Sequence, residues 1–156
     1  MIALQTRIFA DHYQFYIHDS EYEHYDDSRL DWTDGKKLDY GYMATEQAIY
    51  VSTKADLNDH CVKVFLGEAP EKSNYETYFV HYMEFPSGIM LISSPSGEDE
   101  EDSVKLEKGK YKITLCGKNI GKDMFSFEEE FDEEMSDEDY CNLDKFESYE
   151  IYIENA

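Results

Sequence analysis

Apolar and polar residues alternate along most of this chain, the two-residue period of strands with one face on a core and one on solvent. Ile2, Leu4 and Ile8 alternate with Ala3, Gln5 and Arg7, and Tyr13, Phe15 and Ile17 alternate with Gln14 and Tyr16. Residues 18–34 are polar, acidic and irregular, which predicts a long loop. A strand is expected around residues 48–52, with one helical turn over 43–49 as the competing reading. Val62, Val64 and Leu66 mark the next strand, closed by a turn at Pro70. Residues 75–85 are aromatic and β-branched on both faces, as expected of a central strand covered on each side. After the break at Pro86, Ser87 and Gly88 come a short strand at 89–93, an acidic loop at 95–102 and a brief strand at 104–106. The alternations Tyr111, Ile113, Leu115 and Tyr149, Ile151, Ile153 complete the pattern.

Eight or nine short strands separated by turn signals predict an all-β fold, an antiparallel β-sandwich or flattened barrel. At 156 residues the chain suits one domain, 1–156. The last two strands are separated by an acidic excursion over residues 123–147, DMFSFEEEFDEEMSDEDYCNLDKFE, with twelve carboxylates against one lysine. Disordered acidic tails lack aromatics and sit at chain ends. This segment contains Phe125, Phe127, Phe131, Tyr140 and Phe146 and returns to a strand, so it reads as a largely ordered surface insertion, with helix as one option for its local structure.

Charge then narrows the function. Fourteen Lys and Arg against 36 Asp and Glu give a net charge of −22. Affinity for nucleic-acid backbones and anionic lipids comes from Lys and Arg, so direct binding to either is argued against. The expected partner is a basic protein, because opposite charge relieves self-repulsion and speeds capture. Neither a signal peptide nor an apolar run long enough to span a bilayer is seen, which makes a cytoplasmic location the expectation. Cys61, Cys116 and Cys141 are few, odd in number and far apart, so reduced thiols are expected.

Candidate chemistry is sparse. The sequence lacks a Gly-rich phosphate loop, a GxSxG elbow, HExxH and CxxC, so no enzyme and no cofactor is expected. His12, His18 and His24 recur every six residues among carboxylates, a pattern compatible with zinc or iron, but the segment reads as a solvated loop. The acidic blocks offer oxygens for calcium, and a calcium-responsive β-sandwich that binds a ligand or protein is the alternative function. No EF-hand spacing supports it, and no metal site is assigned. A plain acidic structural domain is a third reading. Trp32, the only tryptophan, sits in Asp31-Trp32-Thr33-Asp34, either as a ring lidding one end of the sandwich or as an interface anchor.

Carboxylates on a rigid surface approximate a row of phosphates, so they compete for a cleft built to hold nucleic acid. The field is expected from Glu128, Glu129, Glu130, Asp132, Glu133, Glu134, Asp137, Glu138 and Asp139, with Phe131 and Tyr140 as anchors. Asp31, Trp32 and Asp34 form a second patch.

Asp31-Trp32-Thr33-Asp34, then Gly41-Tyr42 and Ala48-Ile49 opening a strand, resembles the central segment of the ComJ (Nin) competence-protein family. Gly109-Lys-Tyr-Lys-Ile-Thr and Tyr149-Glu-Ile-Tyr are similar to that family's closing strands. The confident part covers about twenty residues. The chain departs from the family by its long acidic insertion and its His- and Tyr-rich N-terminal loop. The resemblance implies a small cytoplasmic bacterial protein that inhibits a DNA-entry nuclease, a non-enzymatic inhibitor or immunity-type role against a cationic nuclease or toxin. It transfers no inhibitory residues.

Overall fold

The computed structural model describes residues 2–10, 14–21, 42–44, 48–52, 58–94, 97–120, 136–142 and 147–156. Among the described residues ten strands form two five-stranded sheets. They are β1 (Ile2–Ala10), β2 (Gln14–Asp19), β3 (Tyr42–Ala44), β4 (Ala48–Ser52), β5 (Asn58–Leu66), β6 (Thr77–Phe85), β7 (Ile89–Ser94), β8 (Gly97–Lys105), β9 (Gly109–Lys118) and β10 (Ser148–Asn155). A short helix, α1 (Asp137–Asn142), lies between β9 and β10. The first sheet runs β1-β5-β10-β9-β6 and the second β3-β4-β2-β7-β8. All pairings are antiparallel except β10 with β5, which is parallel.

The two-residue period explains why these sheets stack. Phe15, Ile17, Ile49, Val51, Met90, Ile92 and Val104 of the second sheet are buried against Val62, Val64, Met83, Phe85, Ile113, Leu115, Ile151 and Ile153 of the first. Edge-on contact between Phe15 and Tyr149, with ring centroids 5.2 Å apart, ties the two layers. The all-β sandwich expected from alternation is therefore the fold.

Polar closure fixes the turn that carries the chain from β6 in the first sheet to β7 in the second. Asp19, fully buried at the end of β2, accepts hydrogen bonds from the Glu21 amide (3.0 Å), the Ser87 amide (3.1 Å) and the Ser87 hydroxyl (2.7 Å). Gly88 adopts φ +74°, and a Cβ there would stand 2.9 Å from the Leu106 carbonyl oxygen. Only glycine fits both constraints.

Several expectations are corrected. The run at 75–85 forms β6, an edge strand rather than a central one, with Val80 38% and Tyr82 60% exposed. Its outward residues include Tyr78, Val80 and Tyr82, and tyrosine tolerates a half-wet face, so composition imitates double burial. The acids at 98–102 lie in β8 rather than in a loop. Pairing jumps from Ile92↔Asp102 to Ser94↔Gly97, so β8 carries an irregularity beside its acids at the sheet edge, where charge and bulging discourage pairing with another chain. β2 runs on through His18 and Asp19, where the polar composition predicts the start of a loop. Residues 42–44 pair as β3, while the rest of the proposed helical turn up to 47 lies outside the described residues.

Candidate functional surface

The described part of the acidic excursion is held on both faces of the first sheet. Along β5, Cys61, Lys63 and Phe65 point outward while His60, Val62 and Val64 point to the core. Ser148 of β10 pairs with Cys61 and with Lys118 of β9, so the chain re-enters the sheet beside Cys61. On the outer face Cys61 is disulfide-bonded to Cys141 of α1, with Cα atoms 5.4 Å apart. This overturns the expectation of three reduced thiols. Eighty positions separate the two cysteines in sequence, but the return of the chain beside β5 brings them together. Cys116 alone stays free, buried on β9, and burial beside Glu150 pushes its thiol up to about 12.

On the inner face Glu147 is fully buried just before β10. The Tyr149 hydroxyl donates to its carboxylate at 2.6 Å, and His60 Nε2 stands 3.5 Å from the same oxygen. Burial, and then the Glu147 carboxylate, hold the Tyr149 hydroxyl well above the usual tyrosine range. Histidine, carboxylate and tyrosine together have the makings of an acid–base set, yet His60 and Glu147 are 0% and Tyr149 2% exposed. Sealed in this way, the cluster is a polar link that seats the returning chain.

α1 lies on the outer side of the sheet near β1 and β5. The Ser136 hydroxyl accepts from the Asp139 amide at 3.1 Å, the geometry of an N-cap. Glu138 and Asp139 are exposed. Beside the disulfide is a cleft of about 170 Å³ lined by Cys61, Lys63, Lys118, Cys141, Ser148, Tyr149 and Glu150. Farther along the same face, Phe65 stacks on Tyr152 with centroids 4.8 Å apart and planes 9° apart. Lys118 pairs with Glu150 at 3.5 Å and sits 5.5 Å from the Tyr75 ring centroid. Lys112 pairs with Glu154 and Lys110 with Glu84, so the three lysines of β9 are each matched by a carboxylate. Partial exposure makes such pairs weak.

Of the sequence-derived site residues, Asp137, Glu138, Asp139 and Tyr140 lie in α1. Glu128, Glu129, Glu130, Phe131, Asp132, Glu133, Glu134, Asp31, Trp32 and Asp34 lie outside the described residues. Among the histidines His18 is buried in β2, with Nε2 2.9 Å from the Ser93 hydroxyl and Nδ1 2.9 Å from the Asp19 carbonyl oxygen. His12 and His24 lie outside the described residues. Among the described residues no group of three metal-ligating side chains gathers, and no helix is long and apolar enough to cross a membrane. Sequence reasoning missed the Cys61–Cys141 pair and the Glu147 anchor; the signal for the latter was an acid two residues before a core tyrosine.

No protein-family model matches the chain, and no curated protein matches it in sequence. Solved structures do. One is ComJ from Bacillus subtilis, described as an inhibitor of the DNA-degrading activity of NucA, at 17% identity and a TM-score of 0.70, covering 100% of this chain and 98% of that one. Another is the product of crocagin biosynthetic gene J, at 13% identity and a TM-score of 0.56, covering 97% and 96%. The sandwich described above, from β1 to β10, is thus the fold of ComJ over the full length of both chains.

Proposed function

We propose that this protein is a non-enzymatic inhibitor that binds a cationic nuclease or toxin and blocks its nucleic-acid cleft. The observation that carries the reading is the full-length likeness to ComJ, whose own target is a DNA-degrading nuclease. A net charge of −22 supplies the physical complement, since a surface that must enter a cleft shaped for phosphates has to bring anions of its own. In this reading the chain is one domain, and residues 123–147 are an acidic insertion that approaches the partner. Glu128, Glu129, Glu130, Asp132, Glu133, Glu134, Asp137, Glu138 and Asp139 set the field, and Phe131 and Tyr140 give the contact its shape. Asp31, Trp32 and Asp34 supply a second patch. Occlusion needs no bond making, which agrees with the sealed state of the His60, Glu147 and Tyr149 cluster. The setting is the bacterial cytoplasm, in competence or immunity.

The test is a DNA-degradation assay with a purified NucA-type nuclease titrated with this protein. Stoichiometric loss of cleavage supports the proposal. Cleavage that continues unchanged at excess protein, with no complex on gel filtration, would remove it.

A further inference from the structure

We infer that the Cys61–Cys141 disulfide is a reducible tether that decides whether α1 and its carboxylates form a fixed surface. A helix of six residues cannot hold itself together in water, since isolated helices shorter than roughly 12–15 residues are marginal even in favourable sequences. The Ser136 cap and the acids of the first turn, Asp137, Glu138 and Asp139, suit the positive end of a helix, but six residues make fewer than two turns. Something outside the helix must therefore supply its order. Cys141 is 7% exposed, and its covalent partner lies on β5, hydrogen-bonded between β1 and β10 in the five-stranded first sheet. The bond fixes one end of α1 to a strand paired on both sides, with Glu138 and Asp139 exposed.

The same bond is placed to be cut. Cys61 and Cys141 are nearly buried, at 4% and 7% exposure, but both line the 170 Å³ cleft, room for the thiol arm of a small molecule rather than a protein loop. Lys63, Lys118 and Glu150 line it too; Lys118 is paired with Glu150 at 3.5 Å, and the Lys63 ammonium in the same cleft attracts an incoming thiolate and stabilises the one that leaves. With a monothiol such as glutathione, the thiolate attacks one sulfur and displaces the other cysteine as thiolate. A second thiol then resolves the mixed disulfide. Two monothiols lose two electrons to give their own disulfide, and Cys61 and Cys141 each gain a proton. Cys116, buried and with its thiol pushed up to about 12, stays out of this exchange. Structural disulfides are rare where glutathione keeps thiols reduced, so one on a protein of such a setting belongs to the reducible kind.

The consequence for a partner rests on the inhibitor reading above: the oxidised form presents a preorganised acidic helix, and the reduced form presents the same charges on a loose chain. Preorganisation lowers the entropy lost on binding, so the oxidised form binds more tightly.

The experiment is hydrogen exchange on the full chain in three states: as purified oxidised, after native reduction by glutathione, and as Cys141→Ser. The amides of Asp139, Cys141 and Asn142 are expected to exchange at least tenfold faster in the last two, while those of β9 and β10 stay protected and Cys116→Ser behaves as the oxidised wild type. Should Cys141→Ser fail to fold, the glutathione-treated wild type still decides. Equal protection of α1 in oxidised and reduced protein would overturn the inference, as would a disulfide that glutathione opens only after denaturation. Because this readout needs no nuclease, absence of inhibition by either form would sink the inhibitor reading and leave the tether as measured.

Discussion

Tyr149→Phe isolates the polar link that seats the returning acidic chain. The substitution deletes one oxygen and keeps the ring against Phe15, so packing is held constant. What is lost is a 2.6 Å hydrogen bond to a carboxylate that is 0% exposed. A hydrogen bond to a buried charged group contributes roughly 1.5–3 kcal/mol, so a loss of about 2 kcal/mol is expected. For a domain of this size that is a fall in Tm of about 4–8 °C, and with a urea slope of about 1–3 kcal/mol/M the midpoint drops by about 1 M. The assay is urea denaturation followed by circular dichroism, with Glu147→Gln and the double variant completing a cycle. Because both residues act through one bond, the double variant should lose clearly less than the sum of the singles. A Tyr149→Phe loss below about 0.5 kcal/mol, or strict additivity, would refute the claim that this contact anchors the chain.

Three further outcomes are expected. Gly88→Ala should destabilise by roughly 1–3 kcal/mol in the same assay, because the new methyl meets the Leu106 carbonyl oxygen at 2.9 Å in a left-handed backbone. Cys116 and Tyr149 have folded pKa values raised above their unfolded ones, so the stability they contribute is fully present below about pH 9 and is lost as pH climbs through 10 towards 12. Melting temperature should therefore fall steeply in that alkaline window, less so in Tyr149→Phe, and native Cys116 should resist alkylation at pH 8. Glu138→Lys with Asp139→Lys, both on exposed positions, should change stability by less than about 0.5 kcal/mol while slowing association with a basic partner.

Strand content was legible because alternation is a local property. Val62, Val64, Ile113, Leu115, Ile151 and Ile153 announced their strands and all face the core. Strand position was not legible, since it depends on which neighbour arrives from far along the chain. β6 reads as central because Tyr78, Val80 and Tyr82 are apolar enough for burial, and only the sheet order reveals the edge. Likewise Cys61 and Cys141 carry no local mark of each other; the parallel pairing of β10 with β5 creates their proximity. The acids at 98–102 suggested a loop because propensity disfavours them in strands, yet an edge strand accepts charge that a central one cannot. The ComJ resemblance rested on short motifs, of which Ala48-Ile49, Gly109 to Thr114 and Tyr149 to Tyr152 fall in β4, β9 and β10.

The most direct test of an anionic docking surface is the stopped-flow association rate of the oxidised protein with a NucA-type nuclease, measured from low to high salt. Attraction between an anion-rich surface and a cationic cleft predicts a fast rate that falls by on the order of tenfold or more as salt screens it, with dissociation little changed. An association rate indifferent to salt, or one unaltered when the carboxylates at 128–139 are neutralised in pairs, would contradict the account.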